Sequence, residues 1–575
     1  MSTVAHGPAR VQRGYVTTRR GTVHLRYAGE GPAVILLHDS PRSSRLYAPL
    51  LPRLAEQFTA VALDTPGYGN STALPADRQL TIADFADALA ETVEALGLAG
   101  APVYGFHTSS KIALEYAHRH PALAGPVIME GLSLPAQPTP EHFIDRYMAP
   151  FQPLADGSHL AAVWTRIRDM HRFFPWFDLR AETRMAVDLP SPALLHDYSL
   201  DLFSAGAHYS DAYAAAMRYR AEPALAALRV PAVLCCRPSD VLYPYLDALP
   251  EPRPAGLRVE RLPDTREAWA ERVSALLGEA VAATDGPRGI PGLQGVTPPS
   301  GGGPVYLPFP HGQLHAYAHL GAAGARAPLV LLHDLPGAAS ELLPLFQALV
   351  GHDRTVVLPE LPGTGDSDAL AAEASGIDEH AEVVASMAAH LEIDEFEVFA
   401  AFGSAPLALR LAATHPARVR GLHLAGLPWL TPEARQAVDR QIAPALTPQA
   451  CGSHLLTLWH LLRDRALAWP WYDGSAEARR AITPHFRAET LQSTLLALLK
   501  QLPHWGAVTR AAMREDTRAR LAGIDCPVQL LLREEDRRDI PVRTAAPGGR
   551  HLRHAERPDE APALAELLDM SGGRP

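Results

Sequence analysis

The chain repeats itself at long range, and this limits its fold more than any other feature. Gly157-Ser158-His159-Leu160, Trp164, Arg168-Asp169 and Pro175-Trp176-Phe177-Asp178 return as Gly452-Ser453-His454-Leu455, Trp459, Arg463-Asp464 and Pro470-Trp471-Tyr472-Asp473. Each pair stands 295 residues apart, without a gap across the block. Val34-Ile35-Leu36-Leu37-His38-Asp39 recurs in the same register as Leu329-Val330-Leu331-Leu332-His333-Asp334, and His120-Pro121 as His415-Pro416. A period of whole-domain length marks a duplication and excludes a solenoid of short repeats. With 575 residues, the chain is also too long for one core. The Gly/Pro-rich run from Thr284 to Pro304 has no hydrophobic periodicity and reads as a linker. The expected organisation is a domain over 1–282, a linker over 283–304 and a second domain over 305–575. A duplication of this kind predicts an intramolecular pseudo-dimer that preserves an ancestral two-fold interface.

A formal net charge of −11 excludes a nucleic-acid partner or an anionic membrane surface, since neither rewards a negative protein. Four scattered cysteines (Cys235, Cys236, Cys451, Cys526) suit neither a disulfide framework nor a zinc site. The N-terminus has no basic start followed by an apolar run, and no apolar stretch reaches membrane-spanning length. A cytoplasmic location is expected.

In the first half, continuous apolar runs alternate with amphipathic stretches. Ala33–Leu37, Phe58–Leu63, Pro102–Phe106, Pro126–Met129, Ala232–Cys236 and Leu257–Leu262 read as strands, and Ile82–Leu96 as a helix. This predicts an α/β fold with a mostly parallel, doubly wound sheet covered on both faces. A Trp-rich helical segment over about 132–222, and its copy over about 427–520, interrupts the alternation and reads as an inserted lid. At Gly105-Phe106-His107-Thr108-Ser109 a buried strand turns sharply into a helix, which would lift one side chain into a pocket.

Each half, through nearly its whole length, resembles the α/β-hydrolase superfamily. His38-Asp39-Ser40-Pro41 stands at the oxyanion loop, and Asp64-Thr65-Pro66-Gly67-Tyr68-Gly69-Asn70-Ser71 matches the family's turn loop. The nucleophile elbow falls at His107, and Asp240 stands where the acidic triad member usually lies. The resemblance implies two tandem α/β-hydrolase domains, each with a helical lid. More narrowly, it points to a branch with His-Thr at the elbow. The departures decide the chemistry. Histidine replaces the serine nucleophile at His107, and the first half has no histidine where the family's base lies, at Leu262–Trp269. In the second half Phe402 holds the elbow, Asp536 aligns with Asp240, and His551 matches the terminal histidine segment. Neither half has a complete triad.

Five groups of residues bear on function. His107 is a general-base candidate oriented by Asp240, with the Ser40 and Thr108 amides placed to hold an oxyanion. Its alternative is a decayed elbow. His159, Trp164 and Arg168 would close over a ligand if they face the pocket, yet their retention in the half with Phe402 favours a structural lid corner. Ser109 and Ser110 read as packing or capping residues, and Lys111 as an exposed helix lysine. His38 and His333 read as supports of the oxyanion loop. Asp39 and Asp334 replace the family's glycine, and ionised they would oppose negative charge developing nearby.

No nicotinamide, flavin or phosphate loop and no metal-ligand cluster is present, so no cofactor or metal is expected. The expected partner is a small-molecule substrate. Three functions stay open: a hydrolase acting on an ester, lactone or activated carbonyl; a cofactor-free lyase or isomerase working by proton abstraction; or a silent domain that binds a small ligand or partner.

Overall fold

The structure is a computed structural model that describes residues 9–249, 253–254, 256–293, 298–310, 312–322, 326–372, 375–484, 486–545 and 552–571. They form two compact units. Unit 1 takes the described residues of Met1–Gln152, Thr165–Pro190 and Leu194–Gly295. Unit 2 takes those of Pro153–Trp164, Ser191–Ala193 and Val296–Pro575.

Unit 1 is built on an eight-stranded mixed sheet: β1 (Gln12–Thr18), β2 (Gly21–Ala28), β3 (Ala33–Leu37), β4 (Thr59–Leu63), β5 (Val103–Phe106), β6 (Val127–Glu130), β7 (Ala232–Cys236) and β8 (Leu257–Arg261). The order is β1-β2-β4-β3-β5-β6-β7-β8. From β4 to β8 every pairing is parallel, while β1–β2 and β2–β4 are antiparallel. Strands β3, β4 and β6 are buried at every position, as apolar runs without alternation require when helices cover both faces. One face packs Val34, Leu36 and Ala60 against Val273, Leu276 and Leu277 of the helix Arg266–Ala282.

Unit 2 repeats the design with β9 (Gly303–Phe309), β10 (Gly312–His319), β11 (Leu329–Leu332), β12 (Val356–Pro359), β13 (Phe396–Ala401), β14 (Val419–Ala425), β15 (Val528–Leu532) and β16 (Leu552–Glu556). The order is β9-β10-β12-β11-β13-β14-β15-β16, the same topology strand for strand. Helices lie between β6 and β7 and between β14 and β15.

The structure departs from the sequence expectations in three places. The hairpins β1–β2 and β9–β10 add two antiparallel strands to each sheet. The 283–304 stretch is not a free linker. Pro287 O accepts from Ala33 N, Gly292 N donates to Leu96 O, and β9 begins at Gly303. Its Gly/Pro composition hid these edge hydrogen bonds.

The third departure concerns the Gly-Ser-His-Leu block, since Pro153–Trp164 belongs to unit 2 and the 1–282 domain is therefore not one compact body. Within unit 2, His159 stacks edge-on to Trp459 at 5.1 Å and Trp164 edge-on to His454 at 5.3 Å. His159 Nε2 meets Gln492 Oε1 at 2.8 Å, and Trp164 Nε1 donates to Ala450 O. A Cβ on Gly157 would lie 2.6 Å from Trp459, and one on Gly452 2.7 Å from Trp164. Both glycines have left-handed backbones, φ 80° and 76°. Gly157→Ala therefore combines overpacking with strain, and should cost about 1–3 kcal/mol in a urea unfolding experiment.

Candidate active site

The strand β5 ends at Phe106, and the helix Thr108–Arg119 begins two residues later. Between them His107 takes φ 47°, ψ −107°, a conformation that L-residues avoid. Gly105 permits the turn, because a Cβ there would sit 2.3 Å from Ser109 O. Backbone bonds fix the apex: His107 N donates to Glu130 O, and His107 O accepts from Ser110 N and, at 2.6 Å, from Ser110 Oγ. The imidazole rests on Gly131, where a Cβ would come within 2.4 Å of Cδ2.

The ring reaches Asp240, with Nε2 to Oδ2 at 2.7 Å. Leu242 N donates to the other carboxylate oxygen at 2.9 Å. The Asp240 side chain is 7% exposed and that of His107 29%, so solvent reaches the imidazole but hardly the acid. A carboxylate only accepts, so the neutral ring carries its proton on Nε2 and leaves the Nδ1 lone pair free to act. Burial pulls the His107 pKa down. The Asp240 hydrogen bond and charge, aided by Asp39 and Glu130, outweigh it and raise the value above the ordinary imidazole range. Burial likewise pushes the Asp240 carboxyl up, and His107 more than reverses this. Burial holds Asp39 above its usual value despite Arg42, His107 and His38, and its Oδ1 has no hydrogen-bond partner.

Ser40 is buried, and Thr108 opens the elbow helix. Ser109 Oγ donates to His38 O, so both elbow serines serve the backbone. His38 supports the loop: its Nδ1 donates to Asp39 O and its Nε2 accepts from Thr65 N. His333 makes the matching bonds to Asp334 O and Leu361 N. Lys111 is not exposed. It is 5% accessible, donates to Ala216 O at 2.6 Å, and burial lowers its pKa to about 8.

Sequence reasoning missed Glu130. Fully buried at the end of β6, it accepts from Arg237 Nε at 2.9 Å, Tyr104 OH at 2.5 Å and Trp269 Nε1 at 2.8 Å. A single acid closing an apolar strand was the available signal. His159 and Trp164 are engaged inside unit 2, as described above. Arg168 lies in unit 1. An open cleft of about 890 Å³ in unit 1, lined by Leu74, Ile144, Met148, Asp211 and Arg218 among others, contains neither member of the His107–Asp240 pair.

The second elbow has a different backbone. Phe402 enters a short 3-10 turn, Phe402–Ser404, and does not share the positive φ of His107. Its ring packs edge-on to Trp469 at 4.6 Å and under the Arg538 guanidinium at 4.2 Å. Asp536 is taken by Arg480 at 2.6 Å and Arg538 at 2.9 Å. His551 lies outside the described residues. Among the described residues no group of three or more His, Cys, Asp or Glu is placed to hold a metal, and no helix is long and apolar enough to cross a membrane.

Residues 32–227 match the family model of the alpha/beta hydrolase fold. An uncharacterized protein of Mycobacterium bovis is 28% identical over 113 residues, 19% of this chain and 33% of that protein. An (E)-2-((N-methylformamido)methylene)succinate hydrolase of Acinetobacter baylyi is 31% identical over 102 residues, 18% of this chain and 38% of the relative. The matches thus span little more than a third of these relatives. Among solved structures, an epoxide hydrolase from an endophytic Streptomyces aligns over 48% of this chain and 96% of its own, with 20% identity and a TM-score of 0.38. The alpha/beta hydrolase fold is thus matched over residues 32–227 in unit 1, and unit 2 repeats the same strand order.

Proposed function

We propose that unit 1 is a cofactor-free hydrolase of a small carbonyl substrate, an ester, lactone or activated carbonyl, with His107 as general base. The observation that carries this reading is retained strain. A non-glycine residue at such a backbone position costs about 1–3 kcal/mol. The same fold relaxes that turn at Phe402, where no polar side chain needs presenting. Of the two elbows, the one where an imidazole meets a buried carboxylate keeps the strain, as a working site would. The hydrolase names of the relatives support the same class.

In this mechanism the Nδ1 lone pair takes a proton from water as the oxygen attacks the carbonyl carbon. Asp240 holds the ring and stabilises the imidazolium that forms. The Ser40 and Thr108 amides receive the developing oxyanion, and the imidazolium returns its proton to the leaving group.

The base works only when neutral, so activity rises with pH as His107 loses its proton. Because its pKa is raised, the acid limb should lie above about pH 6.5, the ordinary imidazole value. Asp240→Asn removes the carboxylate that holds the proton, and should move this limb to lower pH and lower the plateau. The test is turnover of esters, lactones and β-dicarbonyl compounds followed by NMR from pH 5 to 9. Hydrolysis with this pH shift supports the reading. Carbon–carbon cleavage products would replace it with proton abstraction, and an absence of turnover would favour a binding role.

A further inference from the structure

Unit 2 has lost its nucleophile but not the amides beside it. Asp334 Oδ1 accepts from Gly403 N at 2.6 Å and from Leu335 N at 2.8 Å. In the 295-residue register these two amides correspond to Thr108 and Ser40, the pair assigned to the oxyanion in unit 1. One carboxylate oxygen of the protein thus sits where two N–H groups from separate loops converge, the donor geometry of an oxyanion hole. The second oxygen lies 3.6 Å from Arg465 Nη1, itself held by Glu341. Gly403 makes the approach possible, since a Cβ there would stand 2.7 Å from Asp334 Oδ1 and 2.3 Å from Leu335 O.

Unit 1 lacks this arrangement. Thr108 brings a side chain where unit 2 has Gly403, and the buried Oδ1 of Asp39 makes no hydrogen bond. The same acid at the same loop position is docked in one unit and undocked in the other.

We propose that Asp334 is an internal ligand: unit 2 keeps an anion-binding amide pair at Leu335 and Gly403 and fills it with its own carboxylate. The ligand class of the latent site is a small carboxylate, and the inference does not depend on catalysis at His107. Removing the side-chain carboxylate should open the site to an external one of matching size.

Chemical rescue in the full chain tests this. The melting midpoint of Asp334→Ala should rise by at least about 3 °C more in formate than in chloride at equal ionic strength. The wild type and Asp334→Asn, whose amide oxygen can still accept, should respond equally to both salts. Asp334→Gly should respond in the same way to acetate, which replaces one more carbon. If a variant does not fold in chloride, refolding from urea in formate or acetate becomes the readout. Equal responses of Asp334→Ala and Asp334→Gly to chloride and carboxylate, or failure of either carboxylate to restore folding, would overturn the proposal.

Discussion

Replacing His107 by alanine should lower turnover by about 10²–10⁴-fold, the contribution of a positioned general base. The loss should fall on kcat, because the proposed role is proton transfer and not ground-state binding. His107→Gly should lose as much activity while relieving the positive φ, and so should melt no lower than His107→Ala. Phe402→Ala is the control, since Phe402 presents no polar group and sits between Trp469 and Arg538. Turnover that survives His107→Ala, measured on the substrate the native chain accepts, would remove this residue from the chemistry.

The largest stability effect is expected at Glu130. Glu130→Ala strands three donors at once, one of them the Arg237 guanidinium, at the residue whose backbone carbonyl also accepts from His107 N. Breaking a buried ion pair from one side costs about 3–5 kcal/mol, and the 27% exposure of the Arg237 side chain places Glu130→Ala at the lower end of that range. Glu130→Gln keeps acceptor capacity and should lose less. Because Glu130 also helps raise the His107 pKa, the glutamine variant should move the acid limb of activity to lower pH. Urea midpoints of the two variants would check the first claim, and a full Glu130→Ala stability within 1 kcal/mol of wild type would refute it.

Much of the architecture was legible because it rests on burial. Runs such as Ala33–Leu37 and Ala232–Cys236 have one reading, strands covered on both faces, and the duplication confirmed the pattern internally. The hairpins β1–β2 and β9–β10 were not legible because they lie at sheet edges. Gln12–Thr18 mixes exposed and buried positions and has no continuous apolar run. Lys111 misled for a related reason. A lysine in a helix reads as solvated, and only tertiary packing brings Nζ to Ala216 O.

At the site, His107 and Asp240 were named through the resemblance to the α/β-hydrolase pattern, and the structure sets them 2.7 Å apart. The state of Asp39 and Asp334 was not. Whether a carboxylate repels an oxyanion or replaces it depends on a Cβ at the neighbouring elbow position, a three-dimensional fact. His159 and Trp164 are a different case: their retention in both halves already favoured a structural corner, and their ring partners are Trp459 and His454 of the second copy.

That last cluster has a genealogical consequence. Pro153–Trp164 is inherited with the first copy but packs as part of unit 2. A gene cut at the duplication point would therefore not cut the protein at a seam of cooperative folding. Separating 305–575 would leave Trp459 without His159 and His454 without Trp164. The boundary of descent and the boundary of packing run through different residues, and a first copy that supplies part of the second's packing is no longer free to be lost alone.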